Sequence, residues 1–515
     1  MNTDELSNLE TKLADPLWRL TSGELYSIAP ADGSGVQRFR PRPEQVAVIR
    51  AIYERGAKQI LIPKARRLGM STVLGILAAD CLLFRKSWQG SLIDQNAADA
   101  ARKLDRIVKV ALEHLPDWLG GRVKFPRMNG SQITADVAGT GESSFYAGMN
   151  ARGGSNDFLW ISEWGVIQAE DPKRSARIRS GALPSARHGT IVVETTWAGG
   201  KGGDVWELLE PALTGKAQDW LVLFFPWWLD PRNVSSTAVM DREAEEYFEK
   251  IAPRLERDRI ELREEQRRWW AAERRAQGMF MLRENPTFLD ECWAAPVAGA
   301  VYAAALERAR AEGRIGPMPV DGGSVVHTSW DLGSPANTVV WYWQIAGREI
   351  RVIDCDRGFE GTLADRLAHM LAKGYRYGQH FLPHDCQQTE RTGTTLAAEM
   401  AKAGFRNLVP VPRTHSVWVG INHLLELFSS VAFRSPHCDS GIDALSAYRT
   451  RRLGEGAVAS DEPIHDWASH PADGLRVMAE AHRAGLVEFR YVDVEVDPGE
   501  RRVRRGMREM RVSAI

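Results

Sequence analysis

The chain has 515 residues, a formal net charge of −1, 44% hydrophobic residues and 26% charged ones. At roughly 100–200 residues per domain, that length predicts two to four domains, and the composition excludes a disordered chain. The near-zero charge excludes a whole-chain polycation but leaves room for a local basic face toward nucleic acid.

In chain order, the opening MNTDELSNLE lacks the basic and apolar regions of a secretion signal. Short apolar runs at 59–63, 91–94, 158–161, 190–194 and 221–225 alternate with helical stretches up to about residue 229. That alternation predicts a parallel α/β sheet. The longest apolar stretch, Ser71 to Phe84, is broken by Asp80 and is too short to cross a bilayer. From 239 to 283 acidic and basic residues often sit three or four apart, which predicts solvated helices in a helical linker or small subdomain. After about residue 319 three strand-like runs follow closely, at 325–331, 338–345 and 349–354. A helix at 363–372, a strand at 380–382, a helix at 395–403 and a strand at 408–411 come next, which is a mixed-sheet pattern. Beyond Gly485 the pattern is less regular, and six arginines lie between Gly499 and Arg511. Cys81, Cys292, Cys355, Cys386 and Cys438 are scattered without a CxxC pair, which points to a reducing compartment and away from structural zinc.

The first strand runs into Lys64-Ala-Arg-Arg-Leu-Gly-Met-Ser-Thr72 and then an apolar helix. Strand, loop and helix form the setting of a phosphate-binding loop, because loop and helix N–H groups attract phosphate oxygens and a helix-start hydroxyl can hold Mg²⁺. Gly69 fits the glycine before the helix and Ser71 the hydroxyl, with Thr72 beside it. Lys64 stands where a first glycine is usual and Met70 where a lysine is usual, so the phosphate cation is to be sought among Lys64, Arg66 and Arg67. The strand at 158–161 is followed by Ser162-Glu163, where ATPases commonly place an acidic pair; Glu163 is then the water activator. Thr195 and Thr196 end the strand at 190–194, at the sheet edge where ligands of open α/β folds collect. Gln45, upstream of the first strand, carries an amide able to read an adenine edge. Each element alone has an ordinary reading as a cap or turn; their order and spacing together are far more specific.

In the second α/β region Asp331 closes one strand and Asp385 another, while His470 and Asp473 lie three apart on one face of a predicted helix. Carboxylates gathered from strands and a helix are hard ligands for Mg²⁺ or Mn²⁺, and two such ions about 3.5–4 Å apart can cleave a phosphodiester. His470 is an outer ligand or proton shuttle, Asp354 and Asp356 are rival ligands, and Asp466 reads as a helix-start residue.

KARRLGMST, ARGGSNDFLWISEWG, VVETTWAGG, LVLFFPWWLD, ENPTFLDECW, TSWDLGSP, LPHDC and DWASHPADGLR, in this order, resemble the motifs of the large terminase subunit of tailed bacteriophages and prophages, over most of the chain. The resemblance implies an N-terminal extension (1–35), an ASCE-type P-loop ATPase domain with a parallel-rich sheet (36–238), a helical linker or subdomain (239–318), a ribonuclease H-like α/β nuclease domain (319–485) and a basic C-terminal tail (486–515). It implies Glu163 as catalytic glutamate, Thr195 and Thr196 as coupling residues, and Asp331, Asp385 and Asp473 as nuclease metal ligands. ATP and Mg²⁺ or Mn²⁺ are the implied cofactors. Double-stranded DNA, a small terminase subunit and a procapsid portal, on which the chain forms a ring, are the implied partners, in the host bacterial cytoplasm. Departures are Met70, Ser162, which removes one expected Mg²⁺ carboxylate, and Asn337, where an acid often follows the first nuclease motif. Arg152, Arg174, Arg177 and Arg179 are the candidate arginine fingers, and the arginine-rich tail is either a portal or DNA contact or a solvated end. Two other classes compete: a helicase or repair translocase with an appended nuclease, for which further helicase motifs are missing, and a DNA-binding structural protein with decayed motifs.

Overall fold

A helix that is apolar on every side has to be wrapped on every side. In the computed structural model, Val73 to Leu83 of the helix Met70–Phe84 are all buried. The charge that interrupts this stretch is accommodated by a buried network. Asp80 accepts from Arg19 Nε (2.7 Å) and Nη2 (2.8 Å) and from the Tyr26 hydroxyl (2.7 Å). The structure describes residues 3–30, 33–137, 141–150, 155–293, 297, 299–334, 337–359, 361–388, 393–450, 462–487, 490–495 and 504–509. The chain forms two compact units, residues 1–296 and 297–515.

In the first unit we label α1 (Pro43–Tyr53), β1 (Gln59–Pro63), α2 (Met70–Phe84), β2 (Gln89–Ile93), β3 (Val123–Met128), β4 (Gln132–Val137), β5 (Gly141–Gly148), β6 (Phe158–Ser162), β7 (Thr190–Thr195), β8 (Leu221–Val222), α3 (Arg242–Arg257) and α4 (Glu264–Gln277). Among the described residues the strands form one sheet in the order β8-β1-β7-β6-β2-β5-β4-β3. It is parallel from β8 to β5 and antiparallel from β5 to β3. Residues alternate between two cores, as strand pleating requires. Ile60, Ile62, Trp160 and Val192 join one core; Leu61, Leu159, Ile161 and Val193 join the other. The expected parallel runs are present, although 221–225 keeps ladder pairing only to Val222 plus a bridge from Phe225 to Lys64. The antiparallel extension β3–β5 was not expected. Its polar alternation, as in Lys124, Arg127 and Asp136, hides half-exposed strands.

The charge-laced helices α3 and α4 are not free-standing. Ala244, Phe248, Ile251 and Leu255 of α3, with Trp270 and Ala271 of α4, lie in the first unit's core, and Tyr247 stacks on Trp270 with ring centroids 4.1 Å apart. The stretch 239–318 is thus divided between the two units.

In the second unit we label β9 (Ile315–Gly316), β10 (Val326–Asp331), β11 (Val339–Ala346), β12 (Glu349–Arg357), β13 (Tyr377–Leu382), β14 (Leu408–Pro410), β15 (Val431–Arg434) and α5 (Ser469–Arg483). The order is β9-β15-β12-β11-β10-β13-β14, with β11 antiparallel to both neighbours and the other pairs parallel. Three consecutive antiparallel strands with parallel additions on either side of them form the mixed sheet the sequence predicts. Trp341, Trp343 and Val352 face the core that α5 covers, and Val340, Tyr342 and Ile353 face the opposite one. Further along, Arg490–Glu495 pairs antiparallel with Arg504–Glu509 in the basic tail. Among the described residues all five cysteines are unpaired and buried, and no helix is long and apolar enough to cross a membrane.

Candidate functional site

β1 ends in the loop 64–69, and α2 begins at Met70. Gly69 sits at φ 71°, a backbone conformation that favours glycine, and a Cβ there would lie 2.8 Å from Gln45 Nε2 and displace that amide. Gln45 donates to the Gly69 carbonyl (2.8 Å) and accepts from Arg42 N–H (2.9 Å). Both ends of the amide expected to read an adenine edge are thus engaged, the oxygen capping the start of α1 and the nitrogen tying α1 to the loop. Met70 is buried in the core, so its backbone N–H, not its side chain, is what it offers at the helix start. Thr72, half-buried, follows at the same helix start.

Of the three candidate cations, Arg66 reaches outward to Glu284 (3.0 Å), and Arg67, at φ 61°, is exposed. Lys64 turns inward. Its ammonium lies 2.9 Å from Glu163 Oε1 and 3.1 Å from Glu194 Oε2. Burial pulls its pKa down, but the two carboxylates outweigh this and hold it above its usual range.

Glu163 follows β6 in the left-handed region, at φ 54°, a conformation that costs a non-glycine residue about 1–3 kcal/mol. Its Oε2 accepts from Thr196 N–H (2.8 Å) and the Thr196 hydroxyl (3.0 Å). Thr195 points the other way, accepting from Gly165 N–H (3.0 Å). The loop lysine, the glutamate and the second threonine therefore meet at the carboxyl ends of β1, β6 and β7.

Three residues of this site were not singled out from the sequence. Glu194, fully buried on β7, accepts from Ser162 (2.7 Å) and Ser71 (2.9 Å), both on Oε1. Lys103 hydrogen-bonds Ser162 and pairs with Asp94 (2.8 Å). Burial alone would raise the Glu194 pKa; Lys64, Lys103 and the two hydroxyls bring it well below the usual carboxylate range. At Asp94 burial prevails over Lys103 and the pKa is raised. The rule that drew attention to Glu163, an acid at the carboxyl end of a parallel strand, applies equally to Glu194. Beside the loop a cleft of about 770 Å³ is lined by residues including Arg42, Pro43, Phe225, Trp228 and Leu229.

Among the arginines, Arg174 is buried, bonding to the carbonyls of Asp94, Gln95 and Met149, and Arg179 pairs with Glu207 (2.6 Å). Arg177 lies in the same helix as Arg174, and Arg152 lies outside the described residues.

In the second unit Asp331 ends β10 and His470 Nδ1 lies 2.8 Å from its Oδ2. α5 approaches closely because residue 474 is glycine: a Cβ there would lie 3.3 Å from both Asp331 N and Trp341 Cδ1. Asp473, on the same helix, accepts from Arg476 (3.0 Å). Its pKa is raised, first by burial and further by Asp331, against the pull of Arg476. The His470 pKa is raised by its bond to Asp331, against burial.

Asp385 sits in a single turn after β13, exposed. β13 runs parallel to β10 with Phe381 opposite Ser329, so Asp385 leaves the sheet at the same edge as Asp331. Among the described residues no three His, Cys, Asp or Glu side chains are gathered as a metal ion requires, so the three expected ligands are not drawn together. Asp354 and Asp356 lie on the Tyr342 side of the sheet, away from α5, where Lys373 bridges them at 2.8 and 2.9 Å. Asp466 caps the approach to α5, accepting from Ala468 N–H (2.9 Å) and pairing with Arg449 (2.8 Å). Asn337 lies in the turn between β10 and β11.

No protein-family model matches the chain, and no curated protein matches it. Solved structures do. The HK97 bacteriophage large terminase is similar at 14% identity and a TM-score of 0.47, over 91% of this chain and 99% of that one. A large terminase from a thermophilic bacteriophage is similar at 13% identity and a TM-score of 0.32, over 85% and 98%. The P22 large terminase nuclease domain is similar at 18% identity and a TM-score of 0.27, over 33% and 89%. The solved structures this chain is similar to here are thus phage large terminases or a domain of one, the family whose motifs its sequence resembles.

Proposed function

We propose that the chain is the large subunit of a viral DNA-packaging motor, hydrolysing ATP in its first unit and cutting double-stranded DNA in its second. The observation that carries the first half is the grip on Glu163. Lys64 from the loop holds one oxygen, and the Thr196 amide and hydroxyl hold the other. A carboxylate so oriented is a preorganised acceptor for the proton of an attacking water. The N–H groups at the start of α2 bind phosphate oxygens, and Lys64 moves its ammonium from Glu163 toward the negative charge that arrives. That transfer frees Glu163 for water and alters its bonds to Thr196, which links nucleotide state to β7. The apolar cleft beside the loop suits a purine ring.

A divalent ion bound with the nucleotide neutralises phosphate charge, and the Ser71 hydroxyl at the helix start is a donor suited to it. In the second unit Asp331 and Asp473 are the oxygen donors at the α5 edge of the sheet, with Asp385 to be drawn in from the neighbouring strand end. His470, within hydrogen-bond reach of Asp331, is an outer ligand or proton shuttle. DNA is gripped by sequence-independent, salt-sensitive phosphate contacts. Site choice belongs to a small terminase subunit, and the motor works as a ring on the portal of a procapsid, in the host cytoplasm.

The test is plasmid cleavage in Mn²⁺ or Mg²⁺ with DNA-stimulated ATP hydrolysis recorded in the same samples, for wild type, Glu163→Gln and Asp331→Ala. The expected pattern is loss of turnover alone in Glu163→Gln and loss of cutting alone in Asp331→Ala. A wild-type chain with neither activity would overturn the proposal.

A further inference from the structure

Ser162 leaves the glutamate strand one carboxylate short of the acidic pair that ATPases place there. The missing group has a counterpart one strand away. β6 and β7 are parallel neighbours with Ser162 directly opposite Glu194. The Glu194 carboxylate crosses to the Ser162 hydroxyl at 2.7 Å and to the Ser71 hydroxyl at 2.9 Å, both on the same oxygen. The second oxygen, fully buried, forms an ion pair with Lys64 at 3.1 Å but accepts no well-aligned hydrogen bond.

A carboxylate without solvent is costly to keep unless something repays its desolvation. Here its neighbours are the loop lysine, the helix-start hydroxyl and a serine, all at the nucleotide edge of the sheet. We infer that Glu194 is the carboxylate that positions the nucleotide-bound divalent cation, standing in for the acid absent at Ser162. The inference rests on the ATPase reading above. Ser71 and Glu194 then form one oxygen-donor set contributed by α2 and β7. Ser162 and Lys103 orient that carboxylate from β6 and the helix Ala97–Lys103.

The experiment titrates Mg²⁺ against binding of a fluorescent ADP analogue by the full chain, with EDTA as the metal-free arm. For wild type, Mg²⁺ should tighten binding. In Glu194→Gln the Mg²⁺ needed for half-maximal tightening should rise about 10- to 100-fold. Adding Ser162→Asp to Glu194→Gln should bring the requirement back, because the carboxylate returns from the adjacent strand to the same space. Thermal melting checks folding. If Glu194→Gln does not fold, Glu194→Asp, which keeps the charge and withdraws it by one methylene, carries the same readout. A folded Glu194 variant with wild-type Mg²⁺ dependence overturns the inference and leaves the ATPase reading intact. A wild-type chain that binds no nucleotide in either arm overturns both.

Discussion

The imidazole of His470, at the start of α5, lies 2.8 Å from the Asp331 carboxylate at the end of β10. That bond raises the His470 pKa above its ordinary value of about 6.5. A group whose pKa is raised on folding adds stability below its unfolded pKa and loses it as pH climbs through the folded one. In EDTA, NMR titration of His470 should therefore give a midpoint above that of a free histidine, and Asp331→Asn should bring it down. Urea unfolding of the wild type should show a contribution from this pair at pH 6 that shrinks toward pH 8, and the variant should lack that slope.

Glu163→Gln keeps the size of the side chain and removes the charge that accepts from Thr196 and pairs with Lys64. ATP turnover should fall by about 10²–10⁴-fold, the usual worth of a positioned general base. Binding of the fluorescent ADP analogue should remain, and a variant that hydrolyses ATP normally would remove Glu163 from the mechanism.

Asp80→Ala strips the partner from a buried arginine that the Asp80 carboxylate holds with two bonds. Breaking such a pair from one side costs about 3–5 kcal/mol, because the remaining charge stays buried without compensation. Replacing both Arg19 and Asp80 with apolar residues of similar volume should be much milder. Equilibrium urea unfolding of the two variants measures the difference.

Gly474→Val forces a branched side chain between α5 and the end of β10, where even a Cβ would sit 3.3 Å from Asp331 N. Overpacking of this kind costs about 1–3 kcal/mol. The displacement falls on the acid pair, so DNA cutting should drop far more than stability, while DNA-stimulated ATP hydrolysis stays.

The readable parts of the sequence were those where one physical demand dominates. Runs such as Ile60–Ile62 and Leu159–Ile161 are apolar because both faces of a parallel strand are covered. Glycine at 69 and an acid after β6 mark the loop and the sheet edge beside it. Glu194 is hard to read locally because it follows the apolar run Ile191–Val193 inside β7 and is itself followed by the hydroxyl pair Thr195 and Thr196. Asp354 and Asp356 looked equivalent to Asp331 because their strand position is similar. The face they occupy depends on the register of β11 against β12, which no local pattern reveals. Likewise, the alternating charges of α3 and α4 mark their outer faces correctly and conceal the inner face carrying Phe248 and Trp270.

That inner face has a practical consequence for dissecting the molecule. Trp227 stacks against Trp269 and its indole N–H donates to Thr287 (3.0 Å), while the Tyr247 hydroxyl reaches Thr287 (2.6 Å) and Glu291 (2.7 Å). A fragment cut at residue 238 would lose one or both members of each of these pairs and present a raw aromatic surface to water, inviting aggregation. One ending near residue 296 would keep every partner, so the workable boundary for an isolated first unit is fixed by where its aromatic rings find company.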